Sequence, residues 1–283
     1  MINHLLNRGG STLHAATAGR LDSVATPLLL VHPYPLSGTF WRPVADALSG
    51  DRGIIVPDLR GFGRSTLSSE DRASGVVPMS THAEDLTAWL SHLGIDRPVV
   101  YVGVSMAGYV AWELIAAAPD RLAGVMICSS RARDDSEAAV AKRLEIVEQL
   151  STRGVEVAIK TADRLVGETT LRLNPKLLAR LRAEIRTADS DGLAAAQRGM
   201  ASRRDHAETA RVCDTPLHFV GGDEDAFTKA AEIADLAAAC DAGFSRVSHA
   251  GHLVPLEQTD QFLGILRTWL KDRVDGRSIT SGI

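Results

Sequence analysis

The sequence predicts an α/β fold, a mostly parallel, doubly wound sheet interrupted by one helical insertion. Three observations predict it. Short apolar runs, most bounded by Gly, Pro or Asp, recur along the chain, and their apolarity is continuous rather than alternating. That is the signature of parallel strands covered on both faces. Stretches of helical periodicity separate the runs, which implies βαβ crossovers. One long segment, from Arg131 to about Arg204, is helical in pattern throughout, as in EAAVAKRLEIVEQL and PKLLARLRAEI, and contains no strand-like run.

The elements follow in order. His4–Arg8 and Thr12–Thr17, joined by GGS, read as a hairpin at a sheet edge. The buried strands are PLLLVH (27–32), GIIVP (53–57), PVVYVG (98–103), LAGVMIC (122–128) and PLHFVG (216–221), and FSRVS (244–248) reads as a further short strand. Helical patterns cover Phe40–Leu48, His82–Leu93, Met106–Ala117, Lys229–Ala239 and Leu256–Lys271. The insertion reads as four helices flanked by charged RARDDSE and SRRDHAE. It begins just past the C-terminal end of the sixth strand, where sites in open sheets lie, and is therefore expected to be a cap. The plainer alternative is extra peripheral helices with no lid role. The chain thus divides into a core over 1–130 and 206–283 and a helical cap over 131–205. Beyond Lys271 the polar DRVDGRSITSGI is expected to fray.

Composition bounds the function. With 283 residues, 45% hydrophobic and 23% charged, the chain can bury a sizeable core without staples. A net charge of -4 gives no electrostatic reason for a nucleic-acid or anionic-membrane partner. Cys128, Cys213 and Cys240 are odd in number and lack CxxC or Cys/His spacing, so a reduced, cytoplasmic setting is expected rather than a disulfide framework or zinc site. The opening MINHLLNRGGSTLHAAT has no basic region followed by an apolar block, so no signal peptide is expected. No apolar run approaches the ~20 residues of a membrane helix.

The chemistry starts at YVGVSMAG (101–108), where Ser105 stands at a strand-to-helix junction among small residues. A serine on such a turn projects its Oγ above the sheet with strained backbone angles. Gly103 and Ala107, with Gly108, leave room for the neighbouring strand and helix. The helix start supplies a free Met106 N–H aimed where an oxyanion would form. By itself the pattern is also that of a Gly-flanked Ser at an ordinary βα turn. Two further loops raise it above that: GDEDAFT after the 216–221 strand, with Asp223, Glu224 and Asp225, and HAGHLVPLEQ after 244–248, with His249 and His252. Nucleophile, acid and histidine in that chain order, each at a strand's C-terminal end, suit acyl transfer.

Together VHPYPLSGTFW (31–41), PDLRGFGRS (57–65), VGVSMAGYVA (102–111), GGDEDAFT (221–228) and SHAGHLVPLEQ (248–258) make the sequence resemble the α/β-hydrolase superfamily over nearly its whole length. It looks most like the branch of 3-oxoadipate enol-lactonases, small esterases and cofactor-free haloperoxidases (perhydrolases), and AAAQRGMASRRD (194–205) is similar more loosely. The resemblance implies an α/β-hydrolase fold with a helical cap after the sixth strand, Ser105 as nucleophile, Asp225 as acid and His252 as base. It also implies backbone N–H groups of Tyr34 and Met106 as the oxyanion hole. His32-Pro33 departs from the usual HG, but Pro33 precedes the donor rather than being it. Pro35 biases Tyr34 towards an extended backbone, so flanking prolines either fix the donor or tilt it.

The remaining features have simpler readings. The GxG of PDLRGFGRS precedes no helix, so its glycines serve a turn needing positive φ rather than a dinucleotide. Trp41, Trp89, Trp112 and Trp269 are expected in the core. His32 is expected to brace the oxyanion loop, and His4, His14, His82, His92, His206 and His218 to be surface or satisfied core groups. Arg131 and Arg133, at the cap entrance, are the candidates for binding a substrate carboxylate, and Ile146, Leu150, Leu165 and Leu171 for the cap's inner face. The implied activity is hydrolysis of a small ester or lactone through an acyl-enzyme, with no metal or organic cofactor and a small-molecule partner only. Perhydrolase, C–C hydrolase or tailoring chemistry on the same residues, and a non-catalytic receptor, are the alternatives.

Overall fold

Every residue of the strands at 28–31, 54–58 and 99–104 is buried, which is why these runs carry no polar alternation. The computed structural model describes residues 1–276. Its strands are β1 (Ile2–Arg8), β2 (Ser11–Ala18), β3 (Leu28–Val31), β4 (Ile54–Asp58), β5 (Val99–Val104), β6 (Leu122–Cys128), β7 (Leu217–Gly222) and β8 (Gly243–Val247). They form one eight-stranded sheet in the order β1-β2-β4-β3-β5-β6-β7-β8. The β1–β2 hairpin and the β2–β4 pair are antiparallel, and all later pairs are parallel. The hairpin therefore occupies a sheet edge, and β3 and β5 lie at the centre.

Helices α1 (Arg42–Leu48), α2 (Ser69–Ser74), α3 (Met79–His92) and α4 (Met106–Ala117) lie before β6. Between β6 and β7 run α5 (Glu137–Arg153), α6 (Glu156–Thr161), α7 (Glu168–Leu173), α8 (Pro175–Arg186), α9 (Ser190–Ala201) and α10 (Ala207–Arg211). Then come α11 (Ala230–Ala239), α12 (Val254–Glu257) and α13 (Thr259–Trp269). All four tryptophans are buried.

Several details differ from the sequence reading. The segment read as four helices holds five, α5 to α9. Gly154 breaks it at φ +60°, and Asn174 caps α8 by accepting from the Leu177 N–H at 3.1 Å, with Pro175 as the first helical residue. Helix α2 was masked by its polarity. A reciprocal cap makes it, the Ser68 hydroxyl accepting from Asp71 N–H and the Asp71 carboxylate from Ser68 N–H. Chain beyond Lys271, expected to fray, continues as a π-helical turn to Val274 because Leu270 and Val274 are buried. The rest of that tail, 277–283, lies outside the described residues.

The α5–α9 segment is clamped onto the sheet's loops. A Cβ added at Gly199 of α9 would stand 1.9 Å from the Val77 carbonyl oxygen, and one at Gly192 would stand 2.0 Å from that of Gly61. Gly61 and Gly63 of the PDLRGFGRS loop have φ +80° and +55°, as the turn reading requires. Asp58 in that loop accepts from Gly38 N–H at 2.7 Å and Arg64 N–H at 3.0 Å, so it ties two loops at the sheet's C-terminal edge. No helix among the described residues is long and apolar enough to cross a membrane. Because backbone meets backbone at α9, Gly199→Ala should lose about 1–3 kcal/mol of stability in urea titration. Unchanged stability would mean that α9 does not seat on the Val77 loop.

Candidate active site

Strand β5 ends at Val104 and α4 starts at Met106, so Ser105 alone makes the turn. Its backbone stands at φ 57°, ψ -116°, a conformation that costs a non-glycine residue on the order of 1–3 kcal/mol unless its surroundings impose it. They do. Ser105 N–H donates to the Cys128 carbonyl at 2.9 Å, and the Ser130 hydroxyl donates to the Ser105 carbonyl at 2.7 Å. Tyr101 donates to the Ala107 carbonyl at 2.6 Å. The small residues are required. A Cβ on Gly103 would come within 2.8 Å of Ala107 Cβ, and one on Gly108 within 2.3 Å of Ser130 Oγ.

The two open loops resolve to one pair. His252 Nδ1–H donates to Asp225 Oδ2 at 2.9 Å, while Asp225 Oδ1 accepts from the N–H groups of Phe227 and Thr228 at 2.7 and 3.0 Å. Burial pushes the Asp225 carboxyl up. The charge and hydrogen bond of His252 and the two N–H donors outweigh it, holding the group below the usual carboxylate range. With Nδ1 donating to Asp225, a neutral His252 ring has Nε2 as its acceptor. Asp223 instead accepts from the His249 N–H at 2.9 Å, so these two residues shape the loop. His249 is exposed.

Ser105 and His252 line one cavity of about 190 Å³ beneath the α5–α9 helices. Tyr34 lines it too. Neither the Tyr34 nor the Met106 N–H meets an acceptor among the described residues. The Tyr34–Pro35 peptide is cis. His32 braces this loop as expected, accepting from Leu59 N–H at 3.0 Å and donating to the Pro33 carbonyl at 3.1 Å. Among the other histidines the exception is His82, fully buried with neither ring nitrogen partnered and its pKa pushed down by burial to about 3.

The two candidate arginines separate. Arg131 reaches the cavity wall, but its guanidinium is held by Glu232 at 2.9 Å and the Phe227 carbonyl at 2.7 Å. Arg133 lines a different cavity, beside Ala207 and Cys240, because Arg203 pins its carbonyl at 3.0 Å. Ile146 and Leu165 line the site, whereas Leu150 faces another cavity and Leu171 is exposed. Sequence reasoning missed Tyr109, Arg143 and Gln197, which also line the cavity. In KRLEIV, Arg143 looks like any solvated helix charge, and only the placement of α5 over the sheet reveals it.

Glu257 joins the histidine loop to the helices above. Its carboxylate accepts from Gly251 and Leu253 N–H, each at 3.0 Å, on either side of His252. It also accepts from Gly167 N–H and the Thr170 hydroxyl of the inserted segment, both at 2.7 Å. Glu224 adds a second tie, accepting from Thr169 N–H at 2.8 Å. Among the described residues, no cluster of three or more His, Cys, Asp or Glu is placed to hold a metal.

The alpha/beta hydrolase fold family profile matches residues 26–259, and the chain belongs to that family. An esterase from Thermogutta terrifontis, solved with malate bound, superposes with a TM-score of 0.86 at 33% identity, covering 93% of this chain and 95% of that one. The enol-lactonase from Burkholderia xenovorans LB400 shares the fold, with a TM-score of 0.85 at 22% identity over 95% of this chain and 100% of that one. The soluble epoxide hydrolase of a Corynebacterium is 36% identical over 110 residues, 39% of this chain. The chain spans only 35% of that relative's length.

Two outcomes are expected. Glu257→Ala strands three N–H groups and a hydroxyl, and should cost about 1–3 kcal/mol in chemical denaturation; wild-type stability would refute the tie. Asp225, with its folded pKa depressed, contributes stability that is present above the unfolded value near 3.9 and lost as pH falls through the folded one. Asp225→Asn should therefore flatten the acid limb of stability against pH. An unchanged limb would show that the His252 pairing is not worth that linkage.

Proposed function

We propose that the chain is a serine hydrolase that cleaves a small ester or lactone through Ser105, His252 and Asp225. The observation carrying this reading is the buried 2.9 Å Asp225–His252 pair beside the cavity that Ser105 enters on a strained turn. In this mechanism His252 Nε2 takes the Ser105 proton as Oγ attacks the carbonyl carbon. Asp225 holds the tautomer and stabilises the imidazolium. The N–H groups of Met106 and Tyr34 receive the oxyanion. His252 then protonates the leaving oxygen, and a water activated by the same ring hydrolyses the acyl-enzyme.

Epoxide opening, suggested by the name of one relative, fits less well. Attack of Ser105 on an epoxide would leave an alkyl ether, which has no carbonyl for water to attack, whereas an acyl ester has one. The cavity of about 190 Å³ lies below the ~300–1,000 Å³ usual for drug-sized ligands, which supports a short substrate. In this reading the 131–205 segment is the cap that roofs the site. Cys128, Cys213 and Cys240 are all unpaired, in keeping with a reducing, cytoplasmic setting.

The test is steady-state kinetics on p-nitrophenyl acetate, short alkyl esters and lactones. Ser105→Ala should lose turnover by a factor on the order of 10⁶ while keeping its circular dichroism spectrum. Undiminished hydrolysis in that variant would sink the assignment, as would tight binding with no turnover of any acyl substrate by the wild type.

A further inference from the structure

Strand β1 leaves one edge of the sheet open. It is the terminal strand and pairs only with β2 among the described residues. Which of its backbone groups face outward follows from β2. His14 and Thr12 turn their N–H groups away from β1, to the Ser65 hydroxyl at 2.9 Å and the Thr66 hydroxyl at 3.0 Å. Their partners in the register are Leu5 and Asn7, so these are non-hydrogen-bonded pairs, and the alternation of an antiparallel ladder makes Asn3–Ala16 a third. The turn at Gly9-Gly10, with φ +54° and +75°, agrees, because a two-residue loop of that kind closes on Arg8 and Ser11 as a hydrogen-bonded pair. The N–H and C=O groups of Asn3, Leu5 and Asn7 therefore point out of the sheet. None of them meets a partner among the described residues.

Such an edge is ordinarily blunted by Lys, Pro, a bulge or an overlying segment. Strand β1 has no Lys or Pro, its register with β2 runs unbroken from Ile2 to Arg8, and Leu5 and Ile2 are 58% and 68% exposed on it. Its sequence is also symmetric. The outward positions read Asn3, Leu5, Asn7, the same in either direction. An antiparallel copy centred on Leu5 sets Leu5 against Leu5, Asn3 against Asn7 and, between them, His4 against Leu6. The first two kinds of pair fall on the outward positions, so each can exchange two N–H···O=C bonds. The facing side-chain amides suit each other as well. Asn3 Oδ1 is bonded to His14 Nε2 and Asn7 Oδ1 to the Thr12 hydroxyl, each at 3.0 Å, while both NH2 groups meet no acceptor among the described residues. Charge does not oppose the pairing. Arg8 is held by Glu84 and Asp85 of α3, and it falls opposite Ile2 of the second copy rather than opposite itself. The other edge strand, β8, is the shorter GFSRV and has no such symmetry.

We propose that β1 is a self-association surface, and that two copies of this chain join their β1 strands antiparallel about a two-fold axis through Leu5. The two sheets then continue as one. A single strand pair is small for a specific interface, so the dimer exchanges with monomer, with a Kd between about 1 μM and 1 mM. The association does not depend on the reaction, because β1 contributes no residue to the cavity that Ser105 lines.

The experiment has two arms. Sedimentation velocity of the full chain is measured over about 1 μM to 1 mM, and the wild type should move from the monomer to twice its mass. Leu5→Lys places like charges directly on the axis, and Leu5→Pro removes the outward N–H while sparing the bonds to β2. Each should weaken association about tenfold or more while keeping the folded circular dichroism spectrum, and either decides the matter if the other does not fold. The register is read by oxidation with copper phenanthroline, dissolved oxygen taking the two electrons. Cα atoms across a hydrogen-bonded pair stand about 5.5 Å apart, within disulfide range, so Leu5→Cys should give a covalent dimer. Asn3→Cys should not, because the two copies of that position are offset along the ladder by about 14 Å. The wild type, with Cys128, Cys213 and Cys240, is the control. A chain monomeric throughout would leave the edge to a strand of another protein and overturn the proposal. Association indifferent to both Leu5→Lys and Leu5→Pro would place the contact elsewhere and overturn it too, as would cross-linking through Asn3→Cys in preference to Leu5→Cys.

Discussion

The positive φ of Ser105 is the constraint on which the rest depends. A residue in that conformation turns the chain from β5 into α4 in one step, which lifts the hydroxyl out of the sheet and exposes the first N–H of the helix. The turn is affordable only where nothing obstructs it. Gly103 and Gly108 clear the space, and the Cys128 carbonyl and Ser130 hydroxyl fix the strained peptide from β6 and the residues just after it. The long buried register between β5 and β6 therefore also sets the pose of the serine. Ser129, just after β6, shares the positive φ at +52°, and a large apolar core holds both residues there.

A second coupling links the histidine to the helices above it. Glu257 gathers donors from both sides of His252 and from the Gly167–Thr170 stretch with one buried carboxylate. Gly251 and Gly167 pack so closely that a Cβ on Gly251 would lie 2.2 Å from the Gly167 nitrogen. With α9 seated on the Gly61 and Val77 loops as well, the helical segment is fastened at two ends of the cavity. Substrate entry by wholesale lifting of these helices would break all of these contacts together. Smaller movements of side chains at the cavity mouth cost far less.

The sheet and the candidate site residues were legible because they answer to local rules. Continuous apolar runs fixed the parallel strands, and chain order with small residues at fixed offsets isolated Ser105. Asp225 over Asp223 and Glu224, and His252 over His249, needed the family likeness, since each loop offers several groups of the same chemistry. The polar wall of the cavity was illegible for a different reason. Arg143, Gln197 and Tyr34 are contributed by α5, α9 and the loop after β3, and their meeting depends on how the helices dock. Arg131 and Arg133 were drawn by sequence proximity to a strand end, yet one side chain turned outward to Glu232 and the other into a neighbouring cavity. Helix α2 escaped because a reciprocal cap, rather than an apolar face, makes it.

In the proposed function Ser105 Oγ is the activated nucleophile. The most direct measurement is intact-mass and peptide-mapping mass spectrometry after treatment with a fluorophosphonate, whose phosphorus is attacked by the serine oxygen with loss of fluoride. The account predicts a single adduct on the peptide containing Ser105, formed by the native protein and absent after denaturation. No adduct on the native protein, or one carried by a different residue, would contradict it.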